Sequence, residues 1–389
     1  MASEDPTNAL DAGSEAPTQP LGERHPSTPR FVVAPEDEAR YERRTELGKG
    51  GMGVVVEAHD REFNRTVAMK TLRGAKVTTE ELDLFVSEAQ INSQLEHPNM
   101  VPVHDMGVDD EGRPYFTMRL VRGHQSLEDL IAQLKKGDRA LHQTYTFERR
   151  VHLIQQVCHA LEYAHQRGVV HCDIKPTNIV VGDCGELFVV DWGISQLVSA
   201  SDEAHPHGRV ATSLDRDEED AKLYGTTRYM APERIVDATL DATPSSDIYS
   251  LCAVLYELLS LEHYLGDAAT KAEPVIAYHI LKEPRVSAES HFHPTHGRVP
   301  RTLSHICAKG LALEPEDRFT SVAELREVLQ RWVEGKIPMV CPGTTIQRGL
   351  ATISRGIDRH PVAGPALILA GLSGVILTVV LAALNLAGG

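Results

Sequence analysis

Residues 169 to 178, Val169-Val170-His171-Cys172-Asp173-Ile174-Lys175-Pro176-Thr177-Asn178, decide how this chain reads. Two short apolar runs follow, Ile179-Val180-Val181 and Leu187-Phe188-Val189-Val190, and the second closes on Asp191-Trp192-Gly193. Runs of that length bounded by polar residues read as short strands separated by loops. The residue types in the loops explain one another. A carboxylate, Asp173, can orient an attacking hydroxyl and accept its proton. A lysine two positions on, Lys175, can steady a γ-phosphate. An amide oxygen at Asn178 and a second carboxylate at Asp191 are hard oxygen ligands suited to Mg²⁺. Each residue alone has a bland reading as a turn aspartate or a capping asparagine. The ordered set from 173 to 191 does not arise readily by chance.

A second constellation stands nearer the N-terminus. Tyr41 to Leu47 leads into Gly48-Lys49-Gly50-Gly51-Met52-Gly53, and Val54-Val55-Val56 leads out. Glycines at this spacing allow a tight turn and let backbone N–H groups approach phosphate oxygens. A dinucleotide fold would place a helix after the third glycine. Here β-branched residues follow, so the pattern predicts a strand–loop–strand hairpin over a nucleotide triphosphate. Val67-Ala68-Met69-Lys70 reads as the next strand, with a lysine able to neutralise phosphate charge. The spacing of Leu84, Glu88 and Ile91 predicts a helix over about Thr79 to Leu95, whose glutamate could hold that lysine.

Together these motifs resemble the protein-kinase family, and most closely its bacterial serine/threonine members with a membrane span, over residues 41–333. The resemblance implies an α+β, two-lobed fold: a β-rich N-lobe at about 41–120, a mainly helical C-lobe at about 121–333, and ATP between them. It implies ATP contacts from Leu47, Gly48, Lys49, Gly50, Gly51, Met52, Gly53, Val55, Ala68 and Lys70. At the hinge it implies Met118 as gatekeeper, with backbone contacts at Arg119 and Val121. Lys70 and Glu88 match the family's ion pair, Asp173 its catalytic base with Lys175 in the same loop, and Asn178 and Asp191 its Mg²⁺ ligands, with Mn²⁺ as an alternative metal. Gly225 to Glu233 (GTTRYMAPE) looks like the end of the activation segment, and Asp247-Ile248-Tyr249-Ser250-Leu251 like the start of the central C-lobe helix. Arg318 matches the late arginine that pairs with Glu233. Lys175 and Thr226 are features of the serine/threonine class. The expected function is transfer of the γ-phosphoryl group of ATP to protein Ser or Thr hydroxyls, with autophosphorylation. The rival expectation, a pseudokinase scaffold that binds nucleotide without catalysis, requires loss of an essential polar group, and none is lost.

The chain departs from the family pattern in places. Cys172 stands where an arginine commonly pairs with an activation-loop phosphate. A thiol cannot make that pair, so activation is expected not to depend strictly on phosphorylation there. Trp192 replaces a phenylalanine and should fill the same apolar slot. Cys252 replaces a glycine and should only pack. Ser199, Ser201, Thr212 and Ser213, ahead of the acidic run Asp215 to Asp220, are candidate autophosphorylation sites.

Composition sets the outer bounds. The chain has 389 residues, 42% of them apolar and 24% charged, values that suit a globular enzyme able to bury a core. Lys plus Arg number 39 against 55 Asp plus Glu, a net charge of −16, and aromatics are 5%, so no nucleic-acid partner is expected. Cys158, Cys172, Cys184, Cys252, Cys307 and Cys341 form no C-x-x-C pair, which argues against a zinc ribbon. Residues 1–40 read as a disordered tail without a secretory signal, with Thr18, Ser27 and Thr28 as candidate phosphorylation sites within it. Residues 334–360 read as a juxtamembrane linker. Residues 361–387, PVAGPALILAGLSGVILTVVLAALNLA, carry no charge and are long enough for a single transmembrane helix. Arg348, Arg355 and Arg359 precede that run, which predicts a single pass through the cell membrane with residues 41–333 on the cytoplasmic side. Ala366, Ala370 and Gly374 at four-residue spacing are compatible with a homodimer. No sensor domain is expected after the span, so the span is expected to tether.

Overall fold

The computed structural model describes residues 39–49, 53–73, 77–123, 125–183, 185–197, 210, 226–237, 240 and 242–336. Gly50, Gly51, Met52, the hydroxyls from Ser199 to Ser213, Gly225, the tail to residue 38, most of the proposed linker and the apolar run 361–387 lie outside the described residues. Among the described residues no helix is long and apolar enough to cross a membrane.

The N-terminal lobe is one antiparallel sheet of β1 (Tyr41–Lys49), β2 (Gly53–Asp60), β3 (Arg65–Leu72), β4 (Val103–Val108) and β5 (Pro114–Arg119), in the order β1-β2-β3-β5-β4. β1 and β2 are the two strands expected on either side of the glycines, and they pair antiparallel with bulges between Arg43 and Glu46 and between Glu46 and Gly48. Gly53 is required by β3: a Cβ there would lie 2.6 Å from the Thr71 carbonyl oxygen. Register places Lys70 opposite Val55 on one side and Phe116 on the other, and Ala68 opposite Met118. Between β3 and β4 comes helix α1 (Thr79–Gln94), which opens on a reciprocal cap between Thr78 and Glu81. Its inner face buries Phe85 and Ala89 against Leu72 and Phe116, and Glu88 lies on that same face. The sheet and the helix register together bring Lys70 and Glu88 to each other.

The C-terminal lobe is mainly helical, and its elements run in chain order. Strand β6 (Gln125–Ser126) leads to α2 (Leu127–Lys135), α3 (Arg139–Thr144) and α4 (Phe147–Gln166). Short strands β7 (Val169–Val170), β8 (Ile179–Val181), β9 (Leu187–Val189) and β10 (Gln196–Leu197) follow, then α5 (Pro232–Val236), α6 (Pro244–Ser260) and α7 (Glu273–Lys282). Strands β11 (Phe292–His293) and β12 (Gly297–Arg298), α8 (Arg301–Gly310) and α9 (Val322–Val333) complete it. Helix α6 is the axis of the lobe. From Ser246 to Ser260 only Glu257 escapes burial, so the helix lacks a polar face. Truncating one of its leucines, such as Leu251, would cost about 2–5 kcal/mol. Cys252 is fully buried, and a Cβ on Gly310 would lie 2.0 Å from its Sγ, so the thiol fills the space that Gly310 leaves where α8 crosses α6. β8 pairs with β6 and β9, and β7 with β10, and these short ladders carry the loops in which the polar motifs sit. Asn99 ties the two lobes: its carbonyl accepts the Val189 N–H at 2.9 Å and its side-chain amide donates to the Leu187 carbonyl at 2.8 Å.

Candidate active site

The cleft between the lobes gathers the polar residues singled out above. Lys70 Nζ donates to Glu88 Oε1 and Oε2 at 2.6 and 2.7 Å, and to Asp191 Oδ1 at 3.3 Å. Burial opposes the Lys70 charge, but Glu88 and Asp191 outweigh it and hold its pKa above the ordinary value. Burial likewise pushes the Glu88 carboxyl up while Lys70 pulls it back. Asp191 ends below the usual carboxylate range, because Lys70, His171 and Lys175 together exceed the burial penalty. One strand, β3, one helix, α1, and the loop after β9 thus converge on one lysine. Gly193 makes room for this arrangement, since a Cβ there would lie 3.1 Å from Glu88 Oε2.

Below it, Asp173 is held from both sides. Its Oδ1 accepts the Thr226 N–H at 3.0 Å, and its Oδ2 accepts from Lys175 Nζ at 2.5 Å and Asn178 Nδ2 at 3.2 Å. Lys175 Nζ also donates to Thr226 Oγ1 at 2.9 Å. The Asn178 amide donates to the Asp173 carbonyl at 2.9 Å, which leaves its Oδ1 without a hydrogen bond among the described residues. Asn178 Oδ1 and the second oxygen of Asp191 are therefore hard donors of the kind Mg²⁺ takes, and the donor set fits that ion.

The loop bearing Asp173 is anchored by a residue that the sequence reading took only as the start of a helix. Asp247, 1% exposed, accepts the His171 N–H at 2.9 Å, the Cys172 N–H at 3.0 Å and His165 Nε2 at 2.8 Å. His171 Nδ1 accepts the Asp173 N–H at 3.3 Å, and its Nε2 donates to the Val190 carbonyl at 3.2 Å. The His171 ring packs on Trp192 at 4.5 Å, and Trp192 is fully buried in the expected apolar slot. Cys172 and Asp191 both take left-handed backbone, φ 69° and 66°. Non-glycine residues adopt that region only where surrounding bonds impose it. An aspartate in a helical first turn ordinarily reads as a complement to the helix dipole. Nothing local marks Asp247 as a buried acceptor, nor His165 or Gly193 as supports.

At the hinge, Met118 is half-buried beside Ala68, and the exposed Arg119 lays its guanidinium over Phe188 at 5.1 Å. Val121 follows on the segment that leaves β5. Leu47, Gly48 and Lys49 end β1 and Gly53 opens β2, with Val55 two positions on. Farther off, Arg318 and Glu233 form the expected pair, two parallel bonds of 2.8 and 2.7 Å.

A family model described as protein kinase domain matches residues 41–333. The serine/threonine-protein kinase PknD of Chlamydia trachomatis is 32% identical over 308 residues, covering 76% of this chain and 32% of the relative. PknD of Protochlamydia amoebophila is 31% identical over 310 residues, covering 77% of this chain and 30% of the relative. A probable serine/threonine-protein kinase of Streptomyces coelicolor is 33% identical over 303 residues, covering 76% of this chain and 40% of the relative. The chain thus spans about a third of the length of the curated relatives it matches.

Proposed function

This chain belongs to the protein kinase family, and from that premise we propose that it is an ATP- and Mg²⁺-dependent serine/threonine protein kinase that phosphorylates itself and other proteins. The observation that carries this reading is the assembled set of Lys70, Glu88 and Asp191, together with an Asp173 already bound to Lys175 and Thr226. Lys70, oriented by Glu88, holds the α- and β-phosphates, and backbone contacts at Arg119 and Val121 seat the adenine beside Met118 and Ala68. The glycine-rich hairpin, Leu47 to Gly53 with Val55, closes over the phosphates. Asn178 and Asp191 would hold Mg²⁺, which would supply positive charge to the phosphates when bound. Asp173 orients the acceptor hydroxyl and takes its proton, while Lys175 steadies the transferred group. Phosphoryl transfer demands little covalent chemistry of a protein, so this positioning and charge complementarity account for the rate.

Two further elements belong to the proposal. Residues 361–387 anchor the enzyme in the cell membrane as a single pass, with the kinase domain cytoplasmic, and a homodimer through that span is compatible with its small residues. Activity does not require an activation-loop phosphate docked near Cys172, because position 172 offers no cation for one.

The test is phosphate transfer from labelled ATP with Mg²⁺, to the protein itself and to a generic basic protein, by the full chain in membranes. Label is expected on Ser and Thr after hydrolysis. Asp173→Asn should lower kcat by roughly 10²–10⁴-fold while ATP still binds. ATP binding without transfer by the wild type would favour the scaffold reading. Recovery of the chain in the soluble fraction after lysis would sink the anchoring.

A further inference from the structure

Away from the cleft, the described residues hold one dense cluster of imidazoles. It lies where α3 and the first turn of α4 face the turn between β11 and β12. Ring nitrogens of His142, His293 and His296 all lie within 4.8 Å of one another. Beside them runs a groove of about 690 Å³ whose walls include Arg139, Phe147, Arg150 and His296.

A metal ion is the first occupant to weigh, and the hydrogen bonds oppose it. Arg150, 1% exposed, donates through Nη2 to His142 Nδ1 at 3.0 Å and through Nη1 to His296 Nδ1 at 3.2 Å. The Thr295 N–H donates to His293 Nδ1 at 3.2 Å, and His142 Nε2 donates to the Leu134 carbonyl at 2.9 Å. A ring nitrogen that accepts from an N–H carries no proton, so all three rings are neutral with their proton on Nε2. Burial favours the same state: it lowers His142 and, helped by the charge of Arg150, takes His296 down to about 3. The Nδ1 lone pairs a metal would need are engaged by N–H groups, and the guanidinium bridges two of the rings.

The cluster presents donors instead. The Nε2–H groups of His293 and His296 meet no acceptor among the described residues. Arg150 meets no carboxylate within ion-pair range among the described residues. Its other acceptors are the carbonyls of Tyr145, Leu258 and Leu259. Arg139 stands exposed on the groove wall, and the N–H groups of Phe147 and Glu148 open the 20-residue α4, where no intrahelical partner exists. Two acids are near. Asp138 is engaged in capping α3, accepting from Ala140 and Leu141 at 2.8 and 3.1 Å, and Glu148 is exposed on the wall.

We propose that this groove is an oxyanion site on the C-terminal lobe, built to take a phosphate group through the Nε2–H groups of His296, which lines it, and of His293 beside it, with Arg150 as the fixed charge behind them. The same chemistry is offered by free phosphate and by a phosphorylated Ser or Thr side chain. Neutral donors backed by a buried cation suit either without requiring a titration.

The experiment uses the full chain with its cleft filled by a non-hydrolysable ATP analogue. Inorganic phosphate and a phosphothreonine peptide are titrated by calorimetry. Saturable binding is expected, weakened at least tenfold in His293→Phe/His296→Phe, with phosphate transfer unchanged. Tighter binding of the peptide assigns the site to phosphoproteins, and equal binding assigns it to free phosphate. Absence of binding, or binding indifferent to the double variant, overturns the proposal. A measurement on the wild type alone guards against misfolding of that variant. Long-range nitrogen–proton NMR should find the proton on Nε2 of all three rings, and protons on Nδ1 would overturn the assignment. Zn²⁺ alone should find no stoichiometric site here; a site for it lost in the double variant would likewise overturn it.

Discussion

The backbone N–H of Cys172 donates to Asp247 Oδ1 at 3.0 Å, so a buried carboxylate on the central helix holds the residue next to Asp173 in left-handed backbone. The neighbouring His171 N–H uses the other oxygen of the same carboxylate, at 2.9 Å. The loop is therefore positioned from below by α6, independently of nucleotide.

Asp247→Asn should consequently loosen the loop and destabilise the lobe, by about 2–3 kcal/mol at neutral pH, because an amide cannot accept at both positions as a carboxylate does. Burial alone would raise the Asp247 carboxyl; the hydrogen bond and charge of His165, with His171, outweigh it and depress it. A depressed carboxyl contributes stability above its unfolded value, about 3.9, and loses it as pH falls through the folded value. The gap in melting temperature between wild type and Asp247→Asn should thus be full at pH 7 and close below about pH 4. A gap that stays constant down to pH 3 would contradict the assignment.

Removal of phosphate should leave the enzyme working. Lys70 and Glu88 are already paired and Asp173 already bound to Thr226, while position 172 offers a thiol whose Sγ lies 3.5 Å from the Val170 carbonyl. Phosphatase-treated protein, verified by mass spectrometry, is expected to keep most of its initial rate on an exogenous substrate. A rate that vanished and returned on rephosphorylation would overturn this expectation.

Lys70→Met should lower kcat by roughly 10²–10³-fold, the usual cost of deleting one preorganised charge at a reacting phosphate. It also leaves Glu88 buried without its cation. Glu88→Gln keeps an oxygen acceptor for Lys70 and should cost less than Lys70→Met. Steady-state kinetics with ATP varied would check the order, and equal losses would show that Glu88 does more than orient the lysine.

Glu233→Gln tests a part of the fold remote from the reaction. The Arg318 side chain is fully buried, and all its nitrogens are used: Nε on the Ala312 carbonyl at 3.0 Å, Nη1 and Nη2 on Glu233 and on the carbonyls of Ser245 and Leu313 at 3.1 and 2.8 Å. Removing the carboxylate charge strands a buried cation, at about 3–5 kcal/mol. Urea unfolding should show the loss in the midpoint, with the rate at low urea little changed.

The polar motifs were legible because their spacing is local in sequence. Asp173, Lys175 and Asn178 lie within six positions, and the glycine hairpin and the helix carrying Glu88 follow from periodicity and turn chemistry. The same holds for the α+β class and for the helix expected near Thr79, observed at Thr79–Gln94. What the chain order could not express is which distant side chains support those motifs. Asp247 is 75 positions from Cys172, Gly193 lies against Glu88, and Asn99 pins β9. Those contacts arise only when α6 is buried on nearly every face and β3, α1 and the 191–193 loop are brought to one point. Burial decides them: a polar group removed from water must find its partner wherever packing puts one. The imidazole cluster is the plainest case. His142 and His296 are separated by more than a hundred residues and gain their common protonation state only because Arg150 reaches both.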